Sequence, residues 1–182
     1  QKQFEPNKWY YIYNTDITRA GSVDQGTGTG DIYQSLVNGS LIIAPESNNT
    51  KTAHWDGNAD AVIWGAYDYA TDERDPNSYT NPYCMWRLVD ITEDGADHKV
   101  YALQNRATGQ YLASEYNDSQ RMGMSATPTP FFVELLKSGQ YRMYSDVKEN
   151  INKKPLHASG DGYVVPWAGD ADSPSSWTFE EV

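Results

Sequence analysis

The sequence predicts an all-β chain in which one four-stranded unit is written three times, and three observations carry that expectation. Apolar runs of four to seven residues are bounded throughout by Gly, Pro, Asp, Asn or Ser, the signature of strands and turns. No segment sustains a helical period. The runs also recur in the same order, and the stretch Gln140 to Val182 shows the unit whole. It reads Gln-Tyr-Arg-Met-Tyr-Ser (140–145), a polar loop, Leu-His-Ala-Ser (156–159) and a Gly-Asp-Gly turn. Tyr-Val-Val-Pro-Trp (163–167), a second polar loop and Ser-Trp-Thr-Phe-Glu-Glu-Val (176–182) complete it.

The first strand of the unit is Tyr10-Tyr-Ile12-Tyr-Asn14 in one copy, Tyr101-Ala-Leu103-Gln-Asn105 in the next and Tyr141-Arg-Met143-Tyr-Ser145 in the last. A Tyr and an aliphatic residue two positions on point the same way from an extended strand, so one face is buried. The second strand recurs as Leu41-Ile-Ile-Ala44, Tyr111-Leu-Ala-Ser114 and Leu156-His-Ala-Ser159. Met122-Gly-Met124 is the short third strand of the middle copy. The closing strands start at Trp86, Phe131 and Trp177, a spacing of about 45 residues that marks an array of equivalent units. Three copies are few for a propeller or solenoid, so a closed three-lobed body is expected. Trp9, Trp86 and Trp177 are expected in its core.

The copies run approximately over 9–94, 99–137 and 139–182, as one domain spanning 1–182, with the first copy enlarged by loop insertions. Its Gly26-Thr-Gly-Thr-Gly30 run lacks the spacing of a phosphate loop and reads as a surface loop. Asp56-Gly-Asn58-Ala-Asp60 opens like a calcium loop, but the turn Gly and closing Glu are missing. The acidic loop Asp68 to Asn77 reads as solvated. In the second copy, Arg106-Ala-Thr-Gly109 is a tight turn in which Gly supplies the positive φ. Residues 1–8 are a polar lead whose anchor is Phe4.

Composition narrows the function. Asp and Glu number 25 against 14 Lys and Arg, a net charge of −11. Nucleic acid, whose phosphates require a cationic surface, is disfavoured as a partner. So is an anionic membrane face, and no run is apolar enough for membrane insertion. The single cysteine, Cys84, opens an apolar strand and is expected to be a buried thiol. Three Asn-x-Ser/Thr sequons occur, at Asn38, Asn48 and Asn117. The polar, Tyr-rich composition suits an extracellular or cell-surface setting. The histidines, His54, His98 and His157, accompany no Ser or Cys in a nucleophile setting, and no zinc ligand set is present. No enzyme and no cofactor are expected.

Three copies of this size, each ending on an aromatic-x-aliphatic strand, with Leu156-His-Ala158 and Val164-Val-Pro-Trp167 in the last, resemble the ricin B-type β-trefoil. The resemblance spans Trp9 to Val182. At the place of that family's Gln-x-Trp signature stand Cys84-Met-Trp86, Thr129-Pro-Phe131 and Ser175-Ser-Trp177. The resemblance implies shallow sugar pockets, each an aromatic platform on the third strand facing an Asp on the second. The apolar C–H face of a sugar lies on a flat ring, and its hydroxyls need fixed polar partners. The platform position falls on Trp64 in the first copy and Trp167 in the third, with Trp55 a further candidate; the second copy offers no aromatic residue near Met124. The Asp position falls near Ile43, Ala113 and His157. Polar partners are therefore sought among Asp170, Asp172 and His157 around Trp167, and Tyr67 and Asp68 after Trp64. A non-catalytic carbohydrate-binding, lectin-like domain of a larger secreted or surface protein follows, its partner a glycan. The alternative is a protein-binding module, an adaptor or protease inhibitor, working through loops 15–40 and 66–83.

Overall fold

The computed structural model describes residues 3–14, 40–44, 63–65, 82–114, 117–147, 154–159, 164–169 and 173–182. Four strands belong to the first copy: β1 (Trp9–Asn14), β2 (Ser40–Ile43), β3 (Ile63–Gly65) and β4 (Met85–Asp90). The second holds β5 (Tyr101–Asn105), β6 (Tyr111–Leu112), β7 (Met124–Ser125) and β8 (Phe131–Leu135). The third holds β9 (Tyr141–Ser145), β10 (Leu156–Ala158), β11 (Val164–Pro166) and β12 (Thr178–Glu181).

First and fourth strands of all three copies pair in a closed ring, β1-β4-β5-β8-β9-β12 and back to β1. The remaining strands pair within their copies as the hairpins β2–β3, β6–β7 and β10–β11. Register repeats around the ring. Tyr10 faces Trp86, Tyr101 faces Phe131 and Tyr141 faces Trp177 within the copies. Between copies, Leu88 faces Leu103, Val133 faces Met143 and Ile12 faces Phe179. Closing a sheet in this way removes its edges, and the alternation seen in the sequence sends every second residue inward.

Trp86, Phe131 and Trp177 are fully buried where the hairpins meet the barrel. The two indoles donate to backbone carbonyls of the second strands, Trp86 Nε1 to Ile42 O and Trp177 Nε1 to Leu156 O, both at 2.9 Å. Phe131 has no donor, and the matching carbonyl, Leu112 O, is bonded instead by the Thr129 hydroxyl. These bonds make Ile42, Leu112 and Leu156 equivalents, all in the core. The Ala-Ser match between the second and third copies aligns Leu112 with His157 instead, one residue out of register. A one-residue slip would turn the strand inside out. Met122 is a core residue ahead of β7, which is Met124–Ser125 alone.

Trp9 departs from expectation. Strand alternation sends it away from Tyr10, and it lies half-buried with the Arg87 and Arg106 guanidinium groups 5.0 and 5.3 Å from its ring centre. Cys84 is buried, in a 3₁₀ turn at Pro82–Cys84. Gly109 turns with φ of 68°, its N–H bonded to Asn105 O at 3.0 Å. Phe4 plugs the mouth of the barrel. Its ring lies 5.0 Å from Tyr101, 5.6 Å from Tyr141 and 5.7 Å from Phe179. The Tyr141 hydroxyl accepts from Phe4 N at 2.8 Å and the Tyr10 hydroxyl from Glu5 N at 2.7 Å. The three equivalent tyrosines thus gather around one lead segment.

Candidate functional site

The third hairpin leaves the barrel at Pro155 and returns to it at Pro166, and Trp167 follows directly. Its N–H donates to Pro155 O at 3.1 Å, which fixes the backbone where the indole emerges. Trp167 is 37% exposed, the one large aromatic side chain so placed among the described residues. His157, on β10 opposite Val165, lies beneath it: the two rings are stacked with centroids 5.5 Å apart and planes 29° apart. The imidazole is itself buried, with Nδ1 2.8 Å from the Ser175 hydroxyl. One face of the indole is therefore braced by a ring that the core holds still. Gly169 completes the brace, because a Cβ there would stand 2.1 Å from Trp167 Nε1.

A turn from the second copy reaches the same place. The Asp118 carboxylate accepts from Ala168 N at 2.7 Å, and Ser119 N donates to Pro166 O at 2.8 Å. Ser119 adopts a positive φ of 64° to do so, unusual for a residue with a Cβ. Asn117, the sequon residue, is exposed in this turn, its amide donating to Gln120 Oε1 at 2.9 Å.

A second cluster sits on the barrel flank. His98 Nε2 is 2.9 Å from Asp146 Oδ2 and Nδ1 is 2.6 Å from Asp97 Oδ1, with the Phe132 ring edge-on at 5.3 Å. The Asp146 carboxylate holds the imidazolium and raises the His98 pKa above the usual 6.5, outweighing partial burial; Asp97 adds to the rise. Ile91, Val100 and Pro130 line a groove of about 390 Å³ beside it. Among the described residues, no three His, Cys, Asp or Glu side chains are arranged to hold a metal ion. No helix among them is long and apolar enough to cross a membrane.

No protein-family model matches the chain, and no curated protein matches it in sequence. Solved structures do match in shape. The Macrolepiota procera ricin B-like lectin, determined in complex with lactose, is 13% identical with a TM-score of 0.61, each chain covered in full. The Rhizoctonia solani agglutinin is 15% identical with a TM-score of 0.60, again over all of both chains. ThreeFoil, a designed threefold-symmetric protein, is 16% identical with a TM-score of 0.57, over 96% of this chain and 99% of its own. The fold is a β-trefoil, similar in shape to that of ricin B-like lectins. In its third lobe the Trp167 and His157 rings lie together. His157 does not stand across a pocket from the indole; it lies under the ring, because β10 turns it inward.

Trp64 is in β3 of the first lobe, with its backbone opposite Ile42. Asp170, Asp172, Tyr67 and Asp68 lie outside the described residues, as do Trp55, the calcium-like Asp56–Asp60 segment, the acidic loop 68–77, residues 15–39 of loop 15–40 and residues 66–81 of loop 66–83. Sequence reasoning missed Asp118, Ser175 and Gly169. Asp118 is in the second lobe, and only the trefoil's closure brings it to Ala168; Ser175 belongs to the third lobe itself and enters the site through its contact with His157. Gly169 could have been found, since a Gly two residues after an exposed Trp leaves room for the indole to fold over the backbone.

Proposed function

We propose that this trefoil is a non-catalytic carbohydrate-binding domain, one unit over residues 1–182, in which Trp167 is the platform that receives a sugar. The observation that carries the reading is the exposed indole braced from below by His157. A ring held flat presents its free face to the C–H face of a saccharide without first losing rotational freedom, which lowers the cost of binding. The likeness in fold to lectins, one of them determined with lactose, supports it. Trp64 is the corresponding platform of the first lobe, with Tyr67 and Asp68 as its polar partners, and Asp170 and Asp172 follow the third-lobe platform. One shallow site gives roughly millimolar affinity, about 4 kcal/mol, so useful binding requires several sites or a repeated ligand. This suits a domain that tethers a larger extracellular or cell-surface protein to glycan.

Glycan-array screening of the wild-type chain beside Trp167→Ala and Trp64→Ala tests the reading. Binding that is lost with the indoles supports it. A blank array, or glycan signals unchanged in both variants, favours a protein partner engaged through the long loops.

A further inference from the structure

We propose that the third-lobe pocket is composite: Asp118, from the second lobe, supplies the acidic hydrogen-bonding arm, and the pocket takes neutral rather than anionic saccharides. The inference rests on the carbohydrate reading of Trp167. A sugar hydroxyl needs a fixed acceptor beside the platform, and no second strand supplies a carboxylate. His157 occupies that position in the third lobe, but it is buried, engaged by Ser175 and stacked under the indole. Among the described residues, Asp118 is an exposed carboxylate held on the backbone N–H of Ala168, the residue that follows Trp167.

Three bonds hold it there. Ala168 N donates to Asp118 Oδ1, Ser119 N donates to Pro166 O, and Met122 N donates to Val164 O at 3.1 Å. They stitch the turn at 117–120 along β11 up to the platform. Asp118 Oδ1 is thereby anchored on a backbone amide, while Oδ2 makes no hydrogen bond among the described residues. An ionised carboxylate has room for about four hydrogen bonds, so the anchored group still accepts from two adjacent hydroxyls. The strained φ of Ser119 belongs to this arrangement, since the turn must bend sharply for its N–H to reach Pro166. An anchored anion on a chain of net charge −11 repels sialylated and sulfated sugars, which fixes the class as neutral.

The test is a printed array of neutral, sialylated and sulfated glycans, followed by titration of the strongest neutral glycan. The chain is produced without N-glycosylation so that Asn117 carries nothing beside the pocket. Asp118→Asn keeps an oxygen for Ala168 N–H and removes the charge; Asp118→Ala removes both. Both are expected to bind the neutral glycan about tenfold to hundredfold more weakly, the worth of hydrogen bonds to a charged acceptor. If Asp118→Ala melts at a lower temperature, Asp118→Asn decides. Loss of binding in Trp167→Ala with full binding in Asp118→Asn overturns the composite pocket and leaves the carbohydrate reading standing. Preference for sialylated or sulfated glycans also overturns it. Binding untouched by Trp167→Ala, or a blank array, removes the carbohydrate reading and this inference together.

Discussion

Thr129 shows how one side chain keeps a degenerate repeat working. A buried carbonyl without a donor is penalised by about 1–3 kcal/mol, and all three lobes place such a carbonyl over the barrel. Two lobes satisfy it with an indole; the middle lobe, with Phe131, uses the Thr129 hydroxyl. Thr129→Val should therefore lower stability by about 1–3 kcal/mol in urea unfolding, although the substitution preserves shape. A stability equal to wild type would show that the bond is dispensable. Gly169→Ala acts in the third lobe. The added methyl meets the indole edge of Trp167, so the ring must swing off His157. The expected result is weaker glycan binding and a changed Trp167 fluorescence, with a melting temperature close to wild type.

At the scale of elements, two segments are held by contacts that can be switched. The lead carrying Phe4 closes the barrel mouth through the tyrosine rings, and Phe4→Ala should cost about 2 kcal/mol, less than a fully buried ring because Phe4 is only partly covered. The β4–β5 loop is clipped to the end of β9 by His98 and Asp146. Because the folded pKa of His98 is raised, its contribution is fully present below about pH 6.5 and is lost as pH climbs through the folded value. Asp146→Asn should then lower the melting temperature more at about pH 5.5 than at about pH 9. Equal losses at both would mean that the ion pair contributes nothing.

For the whole molecule, the ladders are uneven: those joining neighbouring lobes run long, from Trp86↔Asn105 to Asp90↔Tyr101 and from Phe131↔Ser145 to Leu135↔Tyr141. Within the second and third lobes the ring is closed only at Tyr101↔Phe131 and Tyr141↔Trp177. The lobes are thus stitched to one another more than each is closed upon itself. Amide exchange at Tyr141 and Trp177 should accordingly be faster than at Val89 and Ala102, a hydrogen-bonded pair in the middle of the β4–β5 ladder, and equal protection would contradict this. The sequence made the threefold repetition legible because alternating aromatic and aliphatic residues record which face of each strand is buried. It could not show the register of the second strands, where the shared Ala-Ser pair outweighs the Leu112–Leu156 equivalence that the core imposes. Nor could it show that Trp9 sits outside the core, or that Asp118 meets a residue fifty positions away, because closure of the ring creates that proximity. The pairing of β1 with β12 carries a mechanical consequence. Tyr10 faces Glu181 and Tyr13 faces Thr178, and Val182 N donates to Trp9 O at 3.0 Å. A load pulling residue 8 away from residue 182 therefore strains the ladder crosswise and peels it open rung by rung, rather than shearing every rung at once.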